Sequence, residues 1–182
     1  MTFDRMIIHT TGFTQNLGAR TGLEKLFLQV NHAFATKECY VLFPIRWKHA
    51  PWLIAEFVRR NLSHEGRLDC VCYSYGGGVW YPKFERLMQN AGRVIHSANL
   101  VDPVPRRQPL GWLGRLSDRW KVNVRNAQHC NAYFQKKDAP RSPGVVFHGE
   151  RANYSQMTIP NSEHNLIDDD PAVHAAVLRS LE

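Results

Sequence analysis

Leu68-Asp69-Cys70-Val71-Cys72-Tyr73-Ser74-Tyr75-Gly76-Gly77-Gly78 is the stretch that decides how this chain is read. Leu68–Tyr73 is rich in apolar and β-favouring residues and predicts a buried strand. Three glycines then break the strand, and a helical spacing through Phe84, Leu87 and Met88 follows. A serine held between strand and helix sits on a sharp turn that lifts its hydroxyl above the sheet. Gly76, lacking a Cβ, lets neighbouring backbone come close. The amide of Tyr75 belongs to the start of the following helix, where an oxyanion is stabilised. A phosphate-binding turn would use similar residues, but no lysine follows in the P-loop arrangement.

Outward from this stretch, short strands alternate with longer helices. Arg5–His9 predicts a first strand, followed by a polar loop over Thr10–Gly18. Leu26, Phe27, Val30 and Phe34 place a helix from Leu23 to about Thr36. Glu38–Phe43 predicts a second strand stopped by Pro44, and Pro51 opens a helix with Trp52, Ile54, Phe57 and Val58 on its apolar face. Beyond the central stretch, Arg93–Leu100 predicts the fourth strand. Lys121–Arg125, Val145–Phe147 and Tyr154–Ile159 are further strand candidates. Asp168–Asp170 and Pro171 open a final helix that packs through Val173, Val177, Leu178 and Leu181. This alternation predicts an α/β fold, a three-layer α/β/α sandwich with a mostly parallel central sheet, in one domain over residues 1–182.

Composition narrows the classes. The chain has 182 residues, 43% of them apolar and 11% aromatic, enough for a buried core and too many for a disordered chain. No apolar run reaches the roughly 20 residues that span a bilayer, and the N-terminus lacks a secretory apolar region. A cytoplasmic location is therefore expected. Cys39, Cys70, Cys72 and Cys130 are too few and too irregular for a disulfide scaffold. Cys70 and Cys72 have no further ligands at metal-binding spacing, so buried free thiols are expected and no metal site. The net charge of +7 lies entirely in residues 106–141, which hold nine basic and two acidic residues. That stretch, with its prolines, glycines and tryptophans, reads as a basic excursion from the fold.

Ligands of such sheets bind at the carboxyl ends of the strands. Asp102, followed by Pro103, ends the fourth strand on the same edge as Ser74. His164 lies between the last strand and the last helix, again on that edge. His148 also follows a strand and is its one rival. Asp138 and Glu150, one strand later, are the competing acids; Asp138 reads as part of an exposed turn. Ser74, Asp102 and His164 thus appear in the chain order serine, acid, histidine.

That order and these segments resemble the α/β-hydrolase superfamily over nearly the whole chain, as a compact, capless lipase or esterase-like member. Ile7–Phe13 (IIHTTGF) resembles the segment that builds half of the oxyanion hole in lipases. Leu100–Pro105 is similar to their acid loop, and Glu163–Ile167 to their histidine loop. The chain departs from the nucleophile pattern G-x-S-x-G at Cys72, and two threonines separate His9 from Gly12. The resemblance implies a serine hydrolase with a Ser74–His164–Asp102 triad and no cofactor. Its oxyanion hole would use Tyr75 with Thr11, Gly12 or Phe13. The implied substrate is a small carboxylic ester or thioester, with peptidase, amidase and acyltransferase chemistry left open. Phe13, Trp47, Tyr75, Trp80 and Tyr81 are candidate pocket residues. Trp112, within Leu110–Gly114, could belong to a small flap. The alternative is a non-catalytic module of the same fold whose 106–141 segment contacts nucleic acid or, peripherally, anionic lipid. For the hydrolase itself, nucleic acid is not an expected partner.

Overall fold

The structure is a computed structural model that describes residues 2–13, 21–105, 121–138 and 140–182. Its centre is a six-stranded sheet formed by β1 (Phe3–Thr10), β2 (Cys39–Ile45), β3 (Leu62–Tyr73), β4 (Ile95–Val101), β6 (Ala127–Gln135) and β8 (Tyr154–Ile159). The spatial order is β2-β1-β3-β4-β6-β8, and every pairing is parallel. The short strands β5 (Val122–Val124) and β7 (Val145–Phe147) form a separate parallel pair. Among the described residues, helices α1 (Gly22–Phe34), α2 (Pro51–Asn61), α3 (Tyr81–Asn90) and α4 (Pro171–Leu181) flank the sheet.

Strand alternation divides the core into two layers. Met6, Ile8, Cys70, Cys72, Ala98 and Leu100 face α2 and α3, packing on Ile54, Val58, Phe84 and Met88. Ile7, Val71, Tyr73, Val101 and Tyr133 face α1 and α4, packing on Leu23, Leu26, Val30, Val173 and Val177. The expected three layers follow. A parallel sheet is buried on both faces, which is why its central strands read as nearly continuous apolar runs. All four cysteines are buried free thiols. Buried Asp69 on β3 binds Arg5 and Arg67 at 2.8 and 2.9 Å, and Arg67 also donates to the Leu181 carbonyl at 3.0 Å. This cluster ties the end of α4 to the sheet.

Three sequence expectations need correction. Pro44 does not stop β2, which runs on to Ile45. Because β2 is an edge strand, proline's missing N–H costs it no ladder bond on the solvent side. β3 begins at Leu62 rather than Leu68, directly after α2. Most consequentially, residues 106–141 are not an excursion as a whole. β6 lies inside the sheet between β4 and β8, with Cys130, Ala132 and Tyr133 buried. The Leu110–Gly114 flap and Trp112 lie outside the described residues. No helix among the described residues is long and apolar enough to cross a membrane.

Candidate active site

Four neighbouring strands, β3, β4, β6 and β8, end on one edge of the sheet, and Ser74, Asp102, Asp138 and His164 follow them in that order. Ser74 comes directly after β3 with a φ of 51°, in the left-handed region where a non-glycine residue is strained. Its backbone is fixed from both sides. The Ser74 N–H donates to the Val101 carbonyl at 2.9 Å, while the Ser74 carbonyl accepts from Gly78 and Val104 at 2.9 and 3.0 Å.

The turn is crowded enough to demand glycine. A Cβ on Gly76 would lie 2.7 Å from the Thr10 carbonyl oxygen and 2.9 Å from that of Thr11. A Cβ on Gly12 would lie 2.8 Å from the Ser74 Cβ. The end of β1 and the loop after it are therefore pressed against the serine turn.

Asp102 is fully buried just beyond β4, also in the left-handed region with a φ of 40°. Its amide donates to the Tyr133 carbonyl of β6 at 2.7 Å, which fixes its direction. His164 connects the two. Its Nδ1 lies 2.6 Å from Asp102 Oδ2, and its Nε2 lies 2.9 Å from Ser74 Oγ. A carboxylate only accepts, so Nδ1 carries the proton, and Nε2 is left to accept from the serine hydroxyl. All three residues are buried. The three sequence-predicted residues are brought together as a hydrogen-bonded relay.

The rival residues are not in it. His148 is exposed and bonds Asn123 Oδ1 through Nε2 at 2.8 Å, and exposed Glu150 opens the turn before β8. Asp138 is placed differently from its sequence reading as an exposed turn residue. Its Oδ1 accepts the backbone N–H of His164 at 2.7 Å, so it holds the histidine's main chain rather than its ring. The Tyr73 hydroxyl donates to the His164 carbonyl, and its ring stacks on the imidazole with centroids 5.4 Å apart. Burial raises the Tyr73 phenol pKa above its ordinary value, so the donor stays protonated.

The expected oxyanion and pocket residues separate. Tyr75 has helical backbone angles at the first turn after the serine, where amides have no acceptor within the helix. Thr11 needs correction: its amide donates to the Ile45 carbonyl at 2.9 Å, because it continues the β1–β2 ladder. Only its hydroxyl remains, buried without a hydrogen-bond partner. Phe13 is 61% exposed and packs edge-on against Tyr75 at 5.4 Å, with Trp47 touching both rings. Tyr81 is a core residue, fully buried and bonded to Glu85. Trp80, 1% exposed, stacks on Phe84 in the α2–α3 layer. The helical turn after the glycines points Tyr81 into the core, away from any pocket, while Trp80 still forms part of the wall of a 260 Å³ cavity shared with Trp47, Lys48 and Lys83.

No family model matches the chain, and no curated protein matches it. Among the described residues, no group of three or more His, Cys, Asp and Glu side chains could hold a metal ion. What the buried groups can do together is transfer a proton from a serine hydroxyl to an imidazole backed by a carboxylate.

Proposed function

We propose that the protein is a serine hydrolase of the α/β-hydrolase kind that cleaves a carboxylic ester or thioester through an acyl-enzyme on Ser74. The observation that carries this reading is the unbroken relay, Ser74 Oγ to His164 Nε2 at 2.9 Å and His164 Nδ1 to Asp102 Oδ2 at 2.6 Å. In this reading Ser74 attacks the carbonyl carbon as His164 takes its proton. His164 then returns that proton to the leaving group. Water, deprotonated by the same imidazole, releases the acyl group. Asp102 holds the tautomer and stabilises the imidazolium. The Tyr75 amide and the segment after β1 that carries Phe13 receive the oxyanion, each such donor contributing roughly 3 kcal/mol to the transition state.

The strained serine and the close approach of β1 support the assignment, since such strain persists only where the surroundings enforce it. The exposed ring of Phe13, set against Tyr75 and Trp47, favours an acyl or leaving group with apolar surface. The test is turnover of short p-nitrophenyl esters by the wild-type protein and by Ser74→Ala. Hydrolysis that needs Ser74 supports the reading. A folded wild-type protein with no turnover across acetate, butyrate, octanoate and thioester substrates would count against it.

A further inference from the structure

His164 belongs to the loop after β8, three strands away from β3 and Ser74. At about 4.8 Å per strand its imidazole must be carried back roughly 14 Å across the sheet edge. Something must hold that loop over β4 and β6. We infer that Asp138, locked by Gln135, is a positioning residue that fixes His164 through its backbone; this rests on the hydrolase reading for its catalytic consequence.

The geometry forms a continuous chain of contacts. Gln135, the last residue of β6, is 3% exposed. Its Oε1 accepts the Asp138 N–H at 3.1 Å, and its Nε2 donates to the Asp138 carbonyl at 3.0 Å and the Pro140 carbonyl at 3.2 Å. One buried amide thus fixes both backbone groups of Asp138. The carboxylate so placed accepts the His164 N–H at 2.7 Å. One residue earlier on each side, Lys137 Nζ lies 2.8 Å from Glu163 Oε1, giving a second rung between the same two loops. On the other side of the His164 Cα, the Tyr73 hydroxyl donates to the His164 carbonyl. The histidine main chain is therefore held from β6 and from β3, and the imidazole spans the gap between Asp102 and Ser74. The inner rung is a short, partly buried hydrogen bond, so it dominates. The Lys137–Glu163 rung is exposed and contributes little.

Asp138 touches no reacting atom in this scheme, and what matters is an acceptor at its Oδ1. Asp138→Ala removes the acceptor, whereas Asp138→Asn keeps one while removing the charge. Exchange of the His164 amide, followed by NMR on the full-length protein, should accelerate at least about tenfold in the alanine variant and stay near wild type in the asparagine variant. Ester kcat should fall about tenfold in Asp138→Ala with KM little changed, and Asp138→Asn should restore most of it. Lys137→Ala should alter neither quantity beyond about twofold. Asp138→Ser, which shortens the side chain but leaves it polar, serves if the alanine variant does not fold. The inference is overturned if Asp138→Asn is as impaired as Asp138→Ala, which would make the charge the active feature. It is equally overturned if amide exchange is unchanged when the acceptor is removed. Because amide exchange needs no substrate, a wild-type protein without ester turnover would refute the hydrolase reading and leave this test intact.

Discussion

Ser74 and His164 lie 2.9 Å apart, but different kinds of structure hold them. The serine half is built locally: β3, the turn and the first helical turn are continuous in sequence, and β1 presses on them through glycines. The acid–histidine half is assembled from three separate segments, at Asp102, Asp138 and His164, joined by one bond between the imidazole and the Asp102 carboxylate and one between the His164 N–H and the Asp138 carboxylate. A local device needs particular residues at fixed spacing and so leaves a signature in the sequence. An assembled device needs only that distant loops meet, and a residue such as Asp138 that joins those loops carries no signature of its own.

Mutations should expose that difference. The largest effect is expected at the shared bond: Ser74→Ala or His164→Ala should lower ester kcat by about 10⁶, since either loss removes the whole nucleophilic device. Steady-state rates with an active-site-blocked control check this. Asp102→Asn should cost about 10⁴ with the fold intact, because the imidazole then takes the wrong tautomer. Comparable activity in Asp102→Asn and wild type would mean that the acid belongs elsewhere, and Asp138→Asn would then be the variant that dies.

Within the serine half, Gly76→Ala drives a methyl into the Thr10 and Thr11 carbonyls and should cost about 1–3 kcal/mol. Because those carbonyls lie at the end of β1 and just after it, beside Ser74, turnover should fall together with stability. Denaturant unfolding paired with rates would break the comparison if the loop absorbed the methyl at no cost to either.

The smallest effect concerns His9, buried on β1 with Nδ1 3.3 Å from the Leu42 carbonyl and its ring edge-on to Phe27. Burial, only partly offset by the Leu42 hydrogen bond, lowers its pKa from 6.5 to about 4. A depressed folded-state pKa favours the neutral form, so its contribution is complete above pH 6.5 and is lost as pH falls towards 4. Between pH 7 and pH 4.5 this should remove about 2 kcal/mol of stability. Unfolding curves for His9→Gln should show a correspondingly weaker acid dependence. An identical dependence in the variant would place the acid-sensitive group in the other half.

The same contrast explains what could be read from the sequence. Ser74 and Asp102 each directly follow a recognisable apolar strand, His164 lies in the loop between the last strand and the last helix, and the structure brings all three together. β6 was hidden because Ala127–Gln135 (AQHCNAYFQ) is polar at His129 and Asn131 and lies in a cationic stretch, so charge masked its alternation. The signal for it is the apolar series Cys130, Ala132 and Phe134 at period two. With β6 unread, Asp138 had no strand to follow and looked like an exposed turn. Tyr81 misled for a different reason: it is a core residue, and proximity in sequence to Ser74 says nothing about which way a helix faces. Thr11 was overestimated as a backbone donor because the β1–β2 ladder, which consumes its amide, extends past the strand end.

The most direct measurement is reaction of the full-length protein with a fluorophosphonate, followed by peptide mapping of the adduct. A single adduct on Ser74, lost in His164→Ala and strongly slowed in Asp102→Asn, is the result required by a nucleophile activated through this relay. An adduct on Ser63, Ser97 or Ser162, or no adduct on a protein shown to be folded, would contradict it.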